Sequence, residues 1–225
     1  MKFSGIIFDF NGVLWWDRPL QEQAWRQFAA QQMGINLTEE MMRTEVHGRN
    51  NQHTLEFLRG AKLDGDEVKQ LSEQKEKIYR HLCLAQGDEF KLSPGAEGLL
   101  DALVAHKVPR TIATASGKEN LDFFCKHLFL DNWFARSRIV YDDGSGPGKP
   151  DPEIYLQAAR KLNCKAKDCV VVEDSLSGIQ SARTAGIGQI VAITTDDGLP
   201  MMGSMEAADQ SIENLGNLDW RGLFC

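Results

Sequence analysis

Asp9, Asn11, Lys149 and the pair Glu173-Asp174 are the side chains of this sequence whose types, taken together, suit phosphate chemistry. A carboxylate can attack phosphorus, clustered carboxylates can hold a hard divalent cation, and an ammonium can offset the charge of a phosphate. Each follows a run of apolar, β-forming residues. Phe3-Ser4-Gly5-Ile6-Ile7-Phe8 leads into Asp9-Phe10-Asn11-Gly12, and Thr111-Ile112-Ala113-Thr114-Ala115 leads into Ser116. Ser137-Arg138-Ile139-Val140 precedes Gly146-Pro147-Gly148-Lys149-Pro150, and Cys169-Val170-Val171-Val172 ends at Glu173-Asp174-Ser175. One carboxylate after a strand is ordinarily a helix cap or a solvated turn. Asp9, Glu173 and Asp174 buried close together are costly without a cation. Mg²⁺ is the expected cofactor, because it binds through oxygens and commonly uses one or two carboxylates plus water and phosphate.

The elements that position these residues follow from the hydrophobic pattern. After Ser93-Pro94-Gly95, helical stretches at about 96–106, 119–128, 152–162 and 176–185 alternate with strands at 111–115, 137–140, 169–172 and 189–193. Such alternation predicts a parallel sheet with helices on both faces, and ligands bind at the carboxyl ends of its strands. From 18 to 84 the pattern is helical, with Ala24, Trp25, Phe28 and Ala29 at i, i+3/i+4 spacing and no convincing strand. This block interrupts the alternation after the first strand. The predicted fold is therefore α/β, a Rossmann-like parallel-sheet core (1–15 and 93–225) with an inserted α-helical cap domain (16–92). The tail after Thr195 is poorly patterned.

Bulk composition narrows the function. The 225 residues are 42% apolar and 25% charged, with a formal charge of −7 and no basic stripe, so a nucleic-acid partner is not expected. An acidic protein with an anionic substrate needs local positive charge or a metal. The five cysteines form no Cys-x-x-Cys pair, which argues against a zinc ribbon or a disulfide framework. No stretch approaches a membrane span, and Asp9 and Asn11 interrupt the N-terminal apolar run, so no membrane partner and a cytoplasmic location are expected.

Phe8-Asp9-Phe10-Asn11-Gly12-Val13-Leu14, Thr114, Gly148-Lys149-Pro150-Asp151-Pro152 and Glu173-Asp174-Ser175-x-x-Gly178 resemble the four motifs of the haloacid dehalogenase superfamily. The likeness is to its branch of β-phosphoglucomutase-like phosphatases with a helical cap, and it covers nearly the whole chain. The resemblance implies that Asp9 attacks phosphorus and forms an aspartyl-phosphate. It implies that Asp174, with Glu173, holds Mg²⁺ together with Asp9 and the backbone carbonyl of Asn11. Thr114 would hydrogen-bond a phosphoryl oxygen, with Ala115 beside it in the substrate-binding set. Lys149 would pair with Asp9 and the transferring group. Arg49, in the polar stretch Val46-His47-Gly48-Arg49-Asn50-Asn51, either grips a second anionic group of the substrate or stands beside an exposed helix start capped by Asn50.

Most phosphatases of that family carry a second aspartate two residues after the nucleophile. Here the position is Asn11, whose amide can neither deliver nor accept the proton that such an aspartate handles. Three accounts stay open. The substrate has a good leaving group, such as an acyl phosphate, or takes its proton from water or a cap residue; the asparagine is a substitution that traps a complex; or the protein binds a phosphorylated ligand with little turnover. Asn11-Gly12 is also a pair prone to deamidation. A dehalogenase needs no metal, and Glu173-Asp174 argues against one. The leading expectation is a Mg²⁺-dependent, phosphatase-like hydrolase of a small phosphorylated metabolite. A mutase is the enzymatic alternative and a phosphate-ligand binder the non-enzymatic one.

Overall fold

The four residues of β1 (Gly5–Phe8) are all buried, and the strand lies at the middle of a parallel sheet. The computed structural model of the chain describes residues 2–46, 49–144, 146–193 and 204–225. After β1 the chain runs through α1 (Arg18–Met33), a short α2 (Glu39–Met41), α3 (Asn51–Arg59) and α4 (Gly65–Ala85). It continues as α5 (Ala96–Ala105), β2 (Arg110–Gly117), α6 (Lys118–His127), β3 (Val140–Asp142), α7 (Glu153–Lys161) and β4 (Cys169–Glu173). It ends with α8 (Leu176–Thr184), β5 (Gln189–Ile193), α9 (Ser204–Ala207), β6 (Gln210–Ile212) and α10 (Trp220–Phe224). The chain divides into two units, Met1–Trp16 with Lys91–Cys225, and Asp17–Phe90.

In the first unit the strand order is β3-β2-β1-β4-β5-β6 among the described residues, every pair parallel. Phe8 stands opposite Ile112 of β2 and Val172 of β4, so β1 and β4 end together at one edge while β2 runs on past them to Gly117. Alternation puts Ile7, Ala113, Val171 and Ile190 on one face, where Tyr155, Ala158 and Ala159 of α7 and Ile179 and Ala182 of α8 cover them. Burying one such Ile or Val side chain contributes roughly 1.5–3 kcal/mol. Ser93 ties the chain where it returns to this unit, its N–H donating to Leu14 O at 2.9 Å and its hydroxyl to Val13 O at 2.6 Å.

The second unit is helical throughout its described residues. Trp25, Phe28, Ala29, Leu37, Met42, Val46, Leu55 and Leu58 form its core. Thr38 caps α2 by accepting from Met41 N at 3.2 Å, and Asp64 and Glu67 form a reciprocal capping box on α4. Beside this apolar core lies a buried polar chain. Asp17 Oδ2 accepts from the Tyr79 hydroxyl (2.6 Å) and from Gln21 Nε2 (3.0 Å). Lys75 Nζ donates to Gln21 Oε1 (2.9 Å) and pairs with Glu76 (2.7 Å).

Two expectations differ from the structure. The strand expected at 137–140 is a 3-10 turn at Arg136–Arg138 followed by β3 at Val140–Asp142. Arg136, Ser137 and Arg138 are exposed, and Arg138 gives its carbonyl to Thr111 Oγ1 (2.7 Å) rather than to a ladder. The poorly patterned tail supplies a sixth strand, in which Ile212 alone is buried, so it carries almost no period-two signal. No helix of the described residues is long and apolar enough to cross a membrane, and all five cysteines stand outside any disulfide.

Candidate active site

Asp9 is the first residue past β1, and its N–H donates to Val172 O at 3.0 Å, extending the β1–β4 pairing by one step. That step brings Asp9 alongside Glu173, the last residue of β4. The chain then turns sharply. Leu14 N and Trp15 N both donate to Phe10 O, and Gly12 N donates to Trp15 O at 2.7 Å. Gly12 has φ +79, and a Cβ there would lie 2.2 Å from Asp174 Oδ2. Glycine is needed both for the left-handed backbone and for the room it leaves the carboxylate.

Glu173 is fully buried, and four donors meet it. Oε1 accepts from Lys149 Nζ (2.5 Å) and the Tyr155 hydroxyl (2.8 Å), and Oε2 from the N–H and the hydroxyl of Ser175 (2.9 Å each). A carboxylate has about four lone-pair sites, so its acceptor capacity is used up. Ser175 also caps α8, accepting from Gly178 N at 3.0 Å. A Cβ on Gly178 would fall 1.7 Å from Glu173 Oε1.

Lys149 reaches this group from the loop before α7. Asp151 holds that loop: its N–H donates to Gly148 O (3.1 Å), its carboxylate accepts from Glu153 N (3.0 Å), and its carbonyl accepts from the Ser181 hydroxyl of α8 (2.6 Å). Lys149 Nζ thereby bridges Asp9 Oδ1 (2.6 Å) and Glu173 Oε1 (2.5 Å), with the Tyr155 ring 5.2 Å away. One ammonium meets two carboxylates, and Asp174 adds a third to the group. Burial pushes the Asp9 carboxyl up to about 7, with Lys149 pulling against that rise and Glu173 adding to it. Burial also works against ionisation of Glu173, but the Lys149 ammonium and the four donors outweigh it and hold Glu173 below its ordinary value. Burial acts to lower Lys149, yet the two carboxylates keep it well above the usual lysine range.

β2 contributes Thr114, buried, with Ala115 exposed beside it at the strand's end. Thr114 Oγ1 accepts from Ser116 N at 3.1 Å, and the Ser116 hydroxyl donates to Asn11 Oδ1 at 2.8 Å. The structure thus brings Asp9, Asn11, Glu173, Asp174 and Lys149 together at the ends of β1 and β4, with Thr114 joined to them through Ser116. Arg49 belongs to the helical unit, exposed, its Nε 3.4 Å from Thr44 O; Asn50 beside it caps α3 by accepting from His53 N at 2.9 Å. His47 lies outside the described residues. Tyr155 was not legible as a site residue: a tyrosine on the inner face of an amphipathic helix reads as core, and only its hydroxyl's need for a buried partner hints at more.

The donor set fits a hard divalent cation. Carboxylate oxygens of Asp9, Glu173 and Asp174 lie within 4.8 Å of one another, and glycines clear the space in front of two of the three. With Glu173 taken up by its four donors, Asp9 and Asp174 are the carboxylates that would bind an ion.

Comparison with known proteins gives the same family. Residues 3–186 match the model for the haloacid dehalogenase-like hydrolases. A phosphorylated carbohydrates phosphatase of Thermotoga maritima is 30% identical over 194 residues, 84% of this chain and 85% of the relative. A β-phosphoglucomutase of Bacillus subtilis is 30% identical over 207 residues, 89% and 87% of the two chains. The crystal structure of a haloacid dehalogenase hydrolase, family IA, variant 3, from Entamoeba histolytica superposes with a TM-score of 0.88 at 31% identity, covering 98% of this chain and 97% of that one. The chain belongs to the haloacid dehalogenase-like hydrolase family, and its fold is the Rossmann-like parallel sheet with an inserted helical domain.

Proposed function

We propose that this haloacid dehalogenase-like hydrolase is a Mg²⁺-dependent phosphatase that works on a small phosphorylated metabolite through an aspartyl-phosphate on Asp9, with Asn11 in place of the usual acid/base aspartate. The observation that carries this reading is the Lys149 ammonium held between Asp9 and Glu173 beside Asp174. Relatives named as phosphatases support hydrolysis of a small phosphorylated molecule.

Asp9, Asp174 and the main-chain carbonyl of Asn11 would hold the Mg²⁺. Glu173, whose oxygens already accept from four donors, orients Lys149 instead. Bound there, the ion would supply positive charge against the phosphoryl oxygens. Lys149 holds Asp9 Oδ1 in place and presents a second positive charge to the incoming phosphate. Thr114, oriented through the N–H of Ser116, offers its hydroxyl to a phosphoryl oxygen. Asp9 Oδ2 attacks phosphorus, the leaving oxygen departs, and water later cleaves the aspartyl-phosphate to return the carboxylate.

The test is phosphate release from a panel of sugar, nucleotide and acyl phosphates, with Mg²⁺ and with chelator, beside Asp9→Asn. Release that needs Mg²⁺ and vanishes in Asp9→Asn is the expected result. Release that persists in Asp9→Asn rejects the mechanism, and a protein that binds these phosphates without releasing any rejects the enzyme.

A further inference from the structure

Among the described residues of the sheet unit, the proton inventory of this site has a gap on the leaving-group side. Asn11 stands two residues beyond the nucleophile, and its Oδ1 accepts from the Ser116 hydroxyl at 2.8 Å. That bond fixes the amide's orientation, with the oxygen toward Ser116 and the nitrogen at the other end. An amide nitrogen can donate a hydrogen bond but cannot release a proton to a departing oxygen. The other ionisable groups gathered here are committed. Glu173 accepts from four donors. Tyr155 is fully buried and donates its hydroxyl to Glu173. Lys149 is shared between Asp9 and Glu173. Asp9 is the attacking group, and Asp174 lies against Gly12 within the acidic cluster.

Resting on the phosphatase reading, we infer that the substrates of this site are phosphates whose leaving oxygen is weakly basic, the chemistry shared by acyl phosphates and phosphates of acidic enols or phenols. Asp9 Oδ2 forms a bond to phosphorus, and the bond from phosphorus to the leaving oxygen breaks. Its electron pair stays on that oxygen, which departs as a carboxylate, enolate or phenolate and needs no proton. In the second step a water oxygen bonds to phosphorus, the bond to Asp9 breaks with its pair returning to the carboxylate, and the water proton passes to a phosphoryl oxygen. The second leaving group is itself a carboxylate, so this step too proceeds without an acid at position 11.

The test is a leaving-group series: acetyl phosphate, then 2,4-dinitrophenyl, 4-nitrophenyl and phenyl phosphate, then glycerol phosphate. It is run with Mg²⁺ on protein whose peptide map shows asparagine at 11, and in parallel on Asn11→Asp. In the protein itself kcat/KM should fall steeply along the series, by about 10²–10⁴ from the most to the least acidic leaving group, the size of a missing general acid. In Asn11→Asp the fall should flatten, the gain appearing in kcat for glycerol phosphate. A flat series in the protein itself, or a preference for glycerol phosphate, overturns the inference while leaving the phosphatase reading intact. No release from any member by either form overturns both. The slope in the unsubstituted protein decides the matter even where Asn11→Asp does not fold.

Discussion

Each unit of this molecule buries a lysine beside a tyrosine that donates to a carboxylate, and the two arrangements differ in where their residues come from. In the helical unit, Asp17 and Gln21 sit four apart at the start of α1, and Lys75 and Tyr79 sit four apart on α4. Helical periodicity aligns each pair on its own helix, the packing of α1 against α4 joins the two pairs, and neutral donors, Tyr79 and Gln21, meet Asp17. In the sheet unit, Asp9, Lys149, Tyr155 and Glu173 come from the end of β1, a loop, α7 and the end of β4. There one ammonium faces two carboxylates with a third beside them, and glycines keep a Cβ away from Asp174 and Glu173. The first network joins two helices and meets its carboxylate with neutral donors. A network gathered from distant segments, carrying excess charge of one sign, indicates work on something outside the protein.

The contrast can be broken at several points. Asp9→Asn should lower kcat on every substrate by at least about 10⁴-fold while circular dichroism stays native; activity within tenfold would remove Asp9 from the chemistry. Lys149→Met should cost about 10²–10³-fold in kcat/KM, read by steady-state kinetics, because a charge aimed at the transferring phosphate is gone. The matched pair Tyr155→Phe and Tyr79→Phe sharpens the comparison further. Each leaves a buried carboxylate short of one donor and should cost about 1–3 kcal/mol in urea unfolding. Only Tyr155→Phe should also lower kcat, by about tenfold, as expected for a group that orients reacting residues. Equal kinetic losses from both would erase the distinction drawn here.

The smallest expected effect is a pH dependence in chelator. The folded-state value of Asp9 is raised from 3.8 to about 7, so its contribution to stability is complete below the ordinary carboxyl range and is lost as pH rises through about 7. Glu173 is shifted down, so its contribution is present throughout the range above 4.5 and does not change between pH 5 and 7. Between those pH values the metal-free protein should lose about 2 kcal/mol relative to Asp9→Asn, measured by denaturant unfolding. Parallel profiles for the two proteins would show that burial does not hold the Asp9 proton.

Much of this was legible beforehand, for physical reasons that differ by element. Cys169–Glu173 is buried at every position, so its apolar run announced a central strand. Val140–Asp142 and Gln210–Ile212 sit farther out, with exposed positions and three residues each, and no pattern marks strands so short. Asp9, Asn11, Lys149, Glu173 and Asp174 were legible because their chemistry is written in residue type and in place after a strand. The Tyr155 hydroxyl and the Ser116–Asn11 bond were not, because neither leaves a trace until the chain is folded. Nor could spacing show that Glu173 would spend all its acceptor sites on its own protein.

The central place of β1 also bears on how the protein is made. Its neighbours are β2 and β4, at 110–117 and 169–173, so the strand that ends beside Asp9 waits for one partner until residue 117 has been made and for the other until residue 173. At about 5–20 residues per second, translation from Asp9 to Glu173 takes roughly 10–30 s. Helices whose contacts are local can settle within that time, whereas a parallel sheet waits for its distant strands. Asp9 is thus the first residue of its site to be synthesised and among the last to be set in place. A nascent chain stalled before β4 would leave the apolar strand β1 open on the edge that β4 covers, the form of this protein most in need of a chaperone.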